Sequence, residues 1–269
     1  MGVKNLAKPF PNKDTLLVID YDILLYEFGF GLQNVEDWSV VEHAIDTFHK
    51  RLFDKFKTYN YRGFLNGEGN FREVSAVTHT YKGNRKAEKP KWYKDIKEYL
   101  IHCYNTVIVD GMESDDGMSI AITSNPNSIC CSRDKDLRTT SGWHYSWGTK
   151  TTKEKPLEYI DSMGYLEYTE KSKGSTSLGG GGKMFLYAQA LTGDKTDNIV
   201  GVEGVGLKGA FTLLKKAKTE RELYDIVLKQ YEEKEENPIQ RLHENMNLLY
   251  MISELDSEGN PIHWSAPNE

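Results

Sequence analysis

Residues 105–123, NTVIVDGMESDDGMSIAIT, run from a short apolar segment into a cluster of acids and then into a stretch where apolar residues return. An apolar run of this length bounded by turn residues reads as a buried strand, and the segment beyond it as a loop leading into a helix. The same order occurs twice more. In DTLLVIDYDILLYEF, residues 14–28, the apolar run from Leu16 to Ile19 ends in Asp20 and a helical stretch follows; NSICCSRDKDL, residues 127–137, again puts acids after a strand. Between them, residues 39–58 show apolar positions recurring at three and four, YRGFL (61–65) reads as a short strand, and NGEGN (66–70) as a turn. Strands alternating with helices predict an α/β fold with a mostly parallel central sheet and flanking helices, whose ligands bind beyond the carboxyl ends of the strands. That is where the acids sit.

The chain has 269 residues, 38% hydrophobic and 28% charged, an ordinary balance for a globular protein with room for a well-packed core. No apolar run approaches the roughly 20 residues that span a bilayer, and MGVKNLAKPFPNKD lacks a signal-peptide core, so a cytoplasmic, non-membrane protein is expected. Cys103, Cys130 and Cys131 lack zinc-type spacing and are expected as buried thiols. Net charge is −6, which taken alone disfavours a polyanionic partner, but the charge is unevenly spread. Residues 82–97, KGNRKAEKPKWYKDIK, hold seven basic and two acidic side chains, and LKGAFTLLKKAK (207–218) has four lysines and no acid.

The glycine-rich KSKGSTSLGGGGK, residues 171–183, reads as a flexible linker or mobile loop, with a phosphate cradle the weaker alternative because no Walker spacing is present. Beyond it MFLYAQALTG, LKGAFTLLKKA and ERELYDIVLKQYEE are helical by period, which makes the last third a small helical subdomain. The expected division is an α/β part over 1–170 and a helical part over 184–269.

Four acidic groups lie at strand ends or helix starts: Asp20 with Asp22; Glu113, Asp115 and Asp116; Asp134 with Asp136; and Asp194 with Asp197. Each has an ordinary explanation: Ser114, Asp115 or Asp116 would cap a helix, and acids in a first turn complement its dipole. Acids gathered at one sheet edge would repel one another and need cations, and oxygen-only ligands suit Mg²⁺ or Mn²⁺. Two such ions about 4 Å apart can clamp a phosphodiester. In TGDKTDNIVGVEGVGLKGA, residues 192–210, the last acidic pair precedes Gly201, Gly204 and Gly206, which permit a tight turn with backbone amides facing out, and Lys208. This resembles a helix-hairpin-helix, which grips duplex backbone without reading sequence; the ordinary alternative is a glycine turn between packed helices.

The succession VID, YKGNRK, ESDD, SRDKDL, GDKTDN and GVEGVGLKGA resembles the 5′-nuclease family, over about residues 16–215 and in the family's order, with phage-type 5′→3′ exonucleases the nearest in form. The resemblance implies a divalent-metal-dependent 5′→3′ exonuclease or flap endonuclease acting on DNA, with Asp20, Glu113, Asp115 and Asp116 at one metal region and Asp134, Asp136, Asp194 and Asp197 at the other. It implies two Mg²⁺ ions replaceable by Mn²⁺, a K⁺ ion at the hairpin, and a monomer. Lys82 and Arg85 would contact the scissile phosphate from the base of a helical arch over about 80–100. Lys86, Lys89 and Lys91 would draw in the 5′ strand, and Gly201 to Lys208 would hold the duplex. Two departures stand out: Glu68 is the only acid near a place where the family has an aspartate, and Arg133 replaces a glycine, where it is expected to disturb or neutralise the cleft. The alternatives are a DNA-binding factor of the same fold with weakened chemistry, and a ribonuclease acting on RNA–DNA hybrids.

Overall fold

The computed structural model describes residues 11–85, 88–170 and 174–268. In chain order the elements begin β1 (Leu16–Asp20), α1 (Tyr21–Gly31), α2 (Trp38–Phe56), β2 (Tyr61–Asn66), α3 (Phe71–Ser75), α4 (Tyr93–Cys103), β3 (Thr106–Val109), α5 (Ser114–Ser124) and β4 (Ser128–Cys131). After a 3₁₀ turn at Asp136–Thr139 come β5 (Gly142–Ser146), β6 (Lys155–Ile160), β7 (Tyr165–Glu170), β8 (Thr176–Gly181), α6 (Gly182–Thr192), β9 (Gly193–Asp194), β10 (Ile199–Val200), α7 (Leu207–Leu214), α8 (Glu220–Glu232) and α9 (Pro238–Leu249). They divide into two compact units that interleave in sequence. The first lies within Met1–Gly67, Ala87–Arg133 and Trp143–Glu158, and the second within Glu68–Lys86, Asp134–Gly142 and Tyr159–Glu269. Residues 68–85, 134–142 and 159–170, expected with the α/β part, thus lie in the second unit.

The first unit is built on the sheet β3-β2-β1-β4-β5-β6. Pairings β1–β2, β1–β4, β2–β3 and β4–β5 are parallel, so the mostly parallel α/β sheet expected from the sequence is present. β1 is central and every one of its residues is buried, which is why its sequence is an unbroken apolar run rather than an alternation. The chain moves outward from β1 through β2 to β3 and then returns to β4 on the opposite side. The strand order therefore reverses between β1 and β4, and the crevice beyond their carboxyl ends is the place where such sheets bind ligands. Helix α2 turns Val41, Ile45, His49, Leu52 and Phe56 inward at the helical period and stops at Lys57, which is left-handed at φ 55°.

The second unit packs around α6, whose residues from Met184 to Leu191 are all buried. A helix apolar on all sides must be a core helix, and its core cluster takes residues from α7, α8 and α9. The stretch expected as a flexible linker is largely β8, paired antiparallel with β7; Lys171 to Lys173 lie outside the described residues. Its glycines serve close approach. A Cβ on Gly180 would stand 2.1 Å from the Tyr165 carbonyl oxygen, so only glycine brings the two backbones together there. Arg72 of α3 is fully buried: its Nε donates to the Leu248 carbonyl (3.0 Å) and an Nη to the Tyr250 carbonyl (2.7 Å), a cation at the carboxyl end of α9. Cys130 and Cys131 are buried as expected, whereas Cys103, at the end of the amphipathic α4, is exposed.

Candidate active site

In the first unit Asp20 ends β1 at the reversal of strand order. It caps α1, accepting from the Ile23 amide at 3.0 Å, and accepts a hydrogen bond from Ser132 Oγ, just past β4, at 2.6 Å. Asp22, two residues on in the first turn of α1, accepts from Ser114 Oγ (2.6 Å) and the Asn66 amide (2.9 Å), while Asn66 Oδ1 accepts from the Ser114 amide (2.7 Å). Burial pushes the Asp22 carboxyl above its usual range against those hydrogen bonds. Glu113, rather than Ser114, caps α5, and it forms a reciprocal capping box with Asp116. Glu113 and Asp116 are buried and Asp115 is half-buried. The capping explanation is thus realised for Asp20, Glu113 and Asp116.

The second unit holds the other four acids. Asp134 accepts from the Asp136 amide (2.8 Å), and Asp194 from the Thr196 amide (2.7 Å). Between Asp136 and Asp194 stands the Lys135 ammonium, 2.7 Å from one carboxylate and 2.5 Å from the other. Gln189 of α6 donates to Asp136 from the other side. Burial, then the neighbouring Asp134 charge, pushes Asp136 up to about 6 in spite of Lys135; burial acts on Asp194 in the same sense but is outweighed by the Lys135 hydrogen bond, which leaves it low. Burial disfavours the Lys135 charge, yet the two carboxylates raise its pKa.

Asp197 is held by the YKGNRK turn. Tyr81 Oη donates to one carboxylate oxygen (3.1 Å) and Arg85 to the other (2.7 Å), and the Lys82 amide donates to the Asp197 carbonyl (2.9 Å). Lys82 is left-handed at φ 54° with its ammonium over the Tyr81 ring. Asn84 donates to the Lys195 carbonyl and Asn198 to the Thr80 carbonyl, so the two loops are laced along their length. Arg85, expected at the phosphate, is paired with Asp197. The basic stretch is not one helix: a turn over 81–84 precedes α4, which starts at Tyr93. Lys89 lies over the Tyr93 ring, Lys91 donates to Glu36 and the Val35 carbonyl, and Lys86 lies outside the described residues.

Residues 201–206 join α6 and the small β9–β10 ribbon to α7, giving the helix, turn and helix expected. Gly204 is left-handed at φ 82°, Gly206 caps α7, and a Cβ on Gly201 would meet the Leu191 carbonyl at 2.3 Å. Lys208 is exposed and paired with Glu170 at 3.1 Å. Arg133, expected to disturb the carboxylates, instead pairs with Glu27 of α1 at 2.9 Å. Glu68 is exposed. Sequence reasoning missed Lys135, Gln189, Ser132 and Asn66; the only available signal was that Lys135 stands between two acids.

The donors suit a hard divalent cation, and one position for positive charge between Asp136 and Asp194 is visible in the placement of Lys135. Among the described residues, however, no three His, Cys, Asp or Glu close on a point as a metal cage. Hydrogen bonds to local backbone amides turn Asp134, Asp194 and Glu113 toward their own loops.

No family model matches the sequence. A 5′-3′ exonuclease of Buchnera aphidicola subsp. Schizaphis graminum is 25% identical over 243 residues, 82% of this chain and 77% of that protein. A bacteriophage T5 flap endonuclease, solved with DNA and metal ions, superposes with a TM-score of 0.57 at 16% identity over 88% of each chain. A T5 5′-exonuclease with bound zinc gives 0.54 at 18% identity, over 88% of this chain and 89% of that one. The solved structures establish the fold, and the sequence kinship agrees with it. The chain is similar to 5′-3′ exonucleases in sequence and shares their fold.

Proposed function

We propose that the chain is a divalent-metal-dependent 5′→3′ exonuclease and flap endonuclease acting on DNA. The observation that carries this reading is the meeting of Asp136 and Asp194 around one positive charge, on a loop pair that also presents Lys82 and holds Asp197. Asp134, Asp136, Asp194 and Asp197 would hold one cation, and Asp20, Glu113, Asp115 and Asp116 another. When bound, Mg²⁺ or Mn²⁺ supplies an activated water and neutralises charge on the phosphate. Lys82 binds the phosphate oxygens, Arg85 and Tyr81 orient Asp197, and Gln189 orients Asp136. The 201–208 turn binds duplex backbone through its amides and Lys208, with affinity independent of sequence.

A second reading, a DNA-binding factor with weakened chemistry, is favoured by one observation: Lys135 already neutralises the Asp136–Asp194 pair. One experiment separates the two. A 5′-labelled flap and a recessed duplex are incubated with Mg²⁺ or with excess chelator, and product length is read on a gel. The nuclease reading expects cleavage that needs the ion and drops about 100-fold or more in Asp136→Ala, the scale of losing one electrostatic group at a reacting centre. Binding without cleavage in any divalent ion supports the second reading.

A further inference from the structure

The first unit contains a cavity of about 1180 Å³ that none of the residues discussed as metal ligands lines. Its walls come from α1, α2, the end of β5 and the loop that follows, and its charged lining is Arg51, Lys55, Arg133, Lys150, Glu27 and Glu154. Both acids are already engaged: Glu154 with Lys55 at 2.8 Å, and Glu27 with Arg133 at 2.9 Å and with the Trp147 indole N–H at 3.1 Å. Arg51 and Lys150, both exposed, have no acidic partner among the described residues. Arg133 is committed to Glu27 and to the Thr152 hydroxyl (3.2 Å), and its Nε is enclosed. In a chain of net charge −6 this wall carries two cations, Arg51 and Lys150, with no acidic partner among the described residues.

The remaining lining is aromatic. Phe28, Phe48 and Trp147 border the cavity, with Phe48 and Trp147 packed edge to face at 5.0 Å. Cations and flat apolar rings together match a ligand that alternates phosphate with an aromatic base. Small-molecule pockets run to roughly 300–1,000 Å³, so this cavity exceeds what one nucleotide fills.

We propose that this cavity is a binding groove for a short single-stranded nucleic-acid segment, its phosphates on Arg51 and Lys150 and a base against the half-buried Phe28 and Phe48. The choice of a nucleic acid over other polyanions rests on the nuclease reading, but the groove would act apart from the carboxylates. The full chain, without divalent ion, is titrated against a labelled 12-nucleotide thymidine strand by fluorescence anisotropy, with a free mononucleotide and inorganic phosphate as competitors. The variants are Arg51→Glu with Lys150→Glu, and Lys50→Glu as a control with the same charge change on α2 but outside the cavity lining.

The double variant is expected to bind the strand about tenfold more weakly and to lower the salt slope by about 1.4, two contacts at roughly 0.7 each for a single strand. Competition by mononucleotide would assign the groove to a single phosphate and its base; competition only by strand would assign it to the polymer. Unchanged strand affinity in the double variant, or an equal loss in Lys50→Glu, overturns the proposal. Cleavage of the flap substrate with Mg²⁺ is measured separately, so a groove that binds in a protein that does not cut, or the converse, tells the two readings apart.

Discussion

If Asp136 and Asp194 hold a metal ion as proposed, an incoming cation must displace the Lys135 ammonium, 2.5 Å from Asp194. Replacing it with a neutral side chain of similar length removes the competitor. Lys135→Met is expected to bind Mn²⁺ about tenfold more tightly, equivalent to ~1.4 kcal/mol, in calorimetric or spectroscopic titration, and to be less stable without the ion because Asp136 and Asp194 then face each other unscreened. Unchanged Mn²⁺ affinity would place the metal elsewhere. A second residue-scale consequence concerns His49, buried on α2, whose Nδ1–H donates to the Ile45 carbonyl while Nε2 accepts from the Tyr21 hydroxyl. Burial pushes its pKa down to about 4. The unfolded chain takes up this proton near 6.5 and the folded chain only near 4, so stability is complete above about 6.5 and is lost progressively as pH falls to 4, by roughly 3 kcal/mol in all. Urea unfolding at pH 7 and pH 5 should show the slope, and His49→Phe should flatten it. The sequence alone carries little sign of either residue: Lys135 stands between two acids, but the Asp194 that defines its place lies 59 positions away, and His49 carries no motif.

At the scale of elements, what could be read locally was read well. The strands β1, β3 and β4 followed by acids need only a run of apolar residues and a break, and α2, α6, α7 and α8 follow from period. What was misread depended on distant partners. Gly-rich β8 looks like a linker because glycine weakens strands, yet the backbone of Tyr165 is what its glycines accommodate. Asp22 had no assignable role because its partners, Ser114 and Asn66, lie 92 and 44 residues away. The exposed Cys103 and the capping of α5 by Glu113 instead of Ser114 are single-residue errors at helix ends, where sequence patterns are weakest. α9 shows how much one distant contact can carry: Arg72 satisfies the carbonyls at its carboxyl end. Arg72→Met leaves those buried acceptors bare and is expected to destabilise the protein by about 3 kcal/mol, since unmet buried groups cost more than the bonds themselves are worth. A denaturant midpoint within error of the parent chain would contradict that.

For the whole molecule the net charge of −6 and the expected polyanionic partner pull against each other, and the reconciliation lies in distribution. If lysine-rich segments make the contacts, duplex affinity should fall with a log–log salt slope near 0.9 for each phosphate neutralised, the same for any sequence. Lys208→Ala should lower that slope by about one; a slope that differs between sequences would mean that bases are read.

The interleaving of the two units also sets a schedule for synthesis. Arg72 leaves the ribosome long before the residues it needs, because the Leu248 and Tyr250 carbonyls lie 176 and 178 positions downstream. At about 5–20 residues per second that is a wait of roughly 10–35 s. A guanidinium is not buried without its acceptors, so Arg72 stays in water on the nascent chain until Leu248 and Tyr250 are made, while the sheet around β1 already has most of its strands.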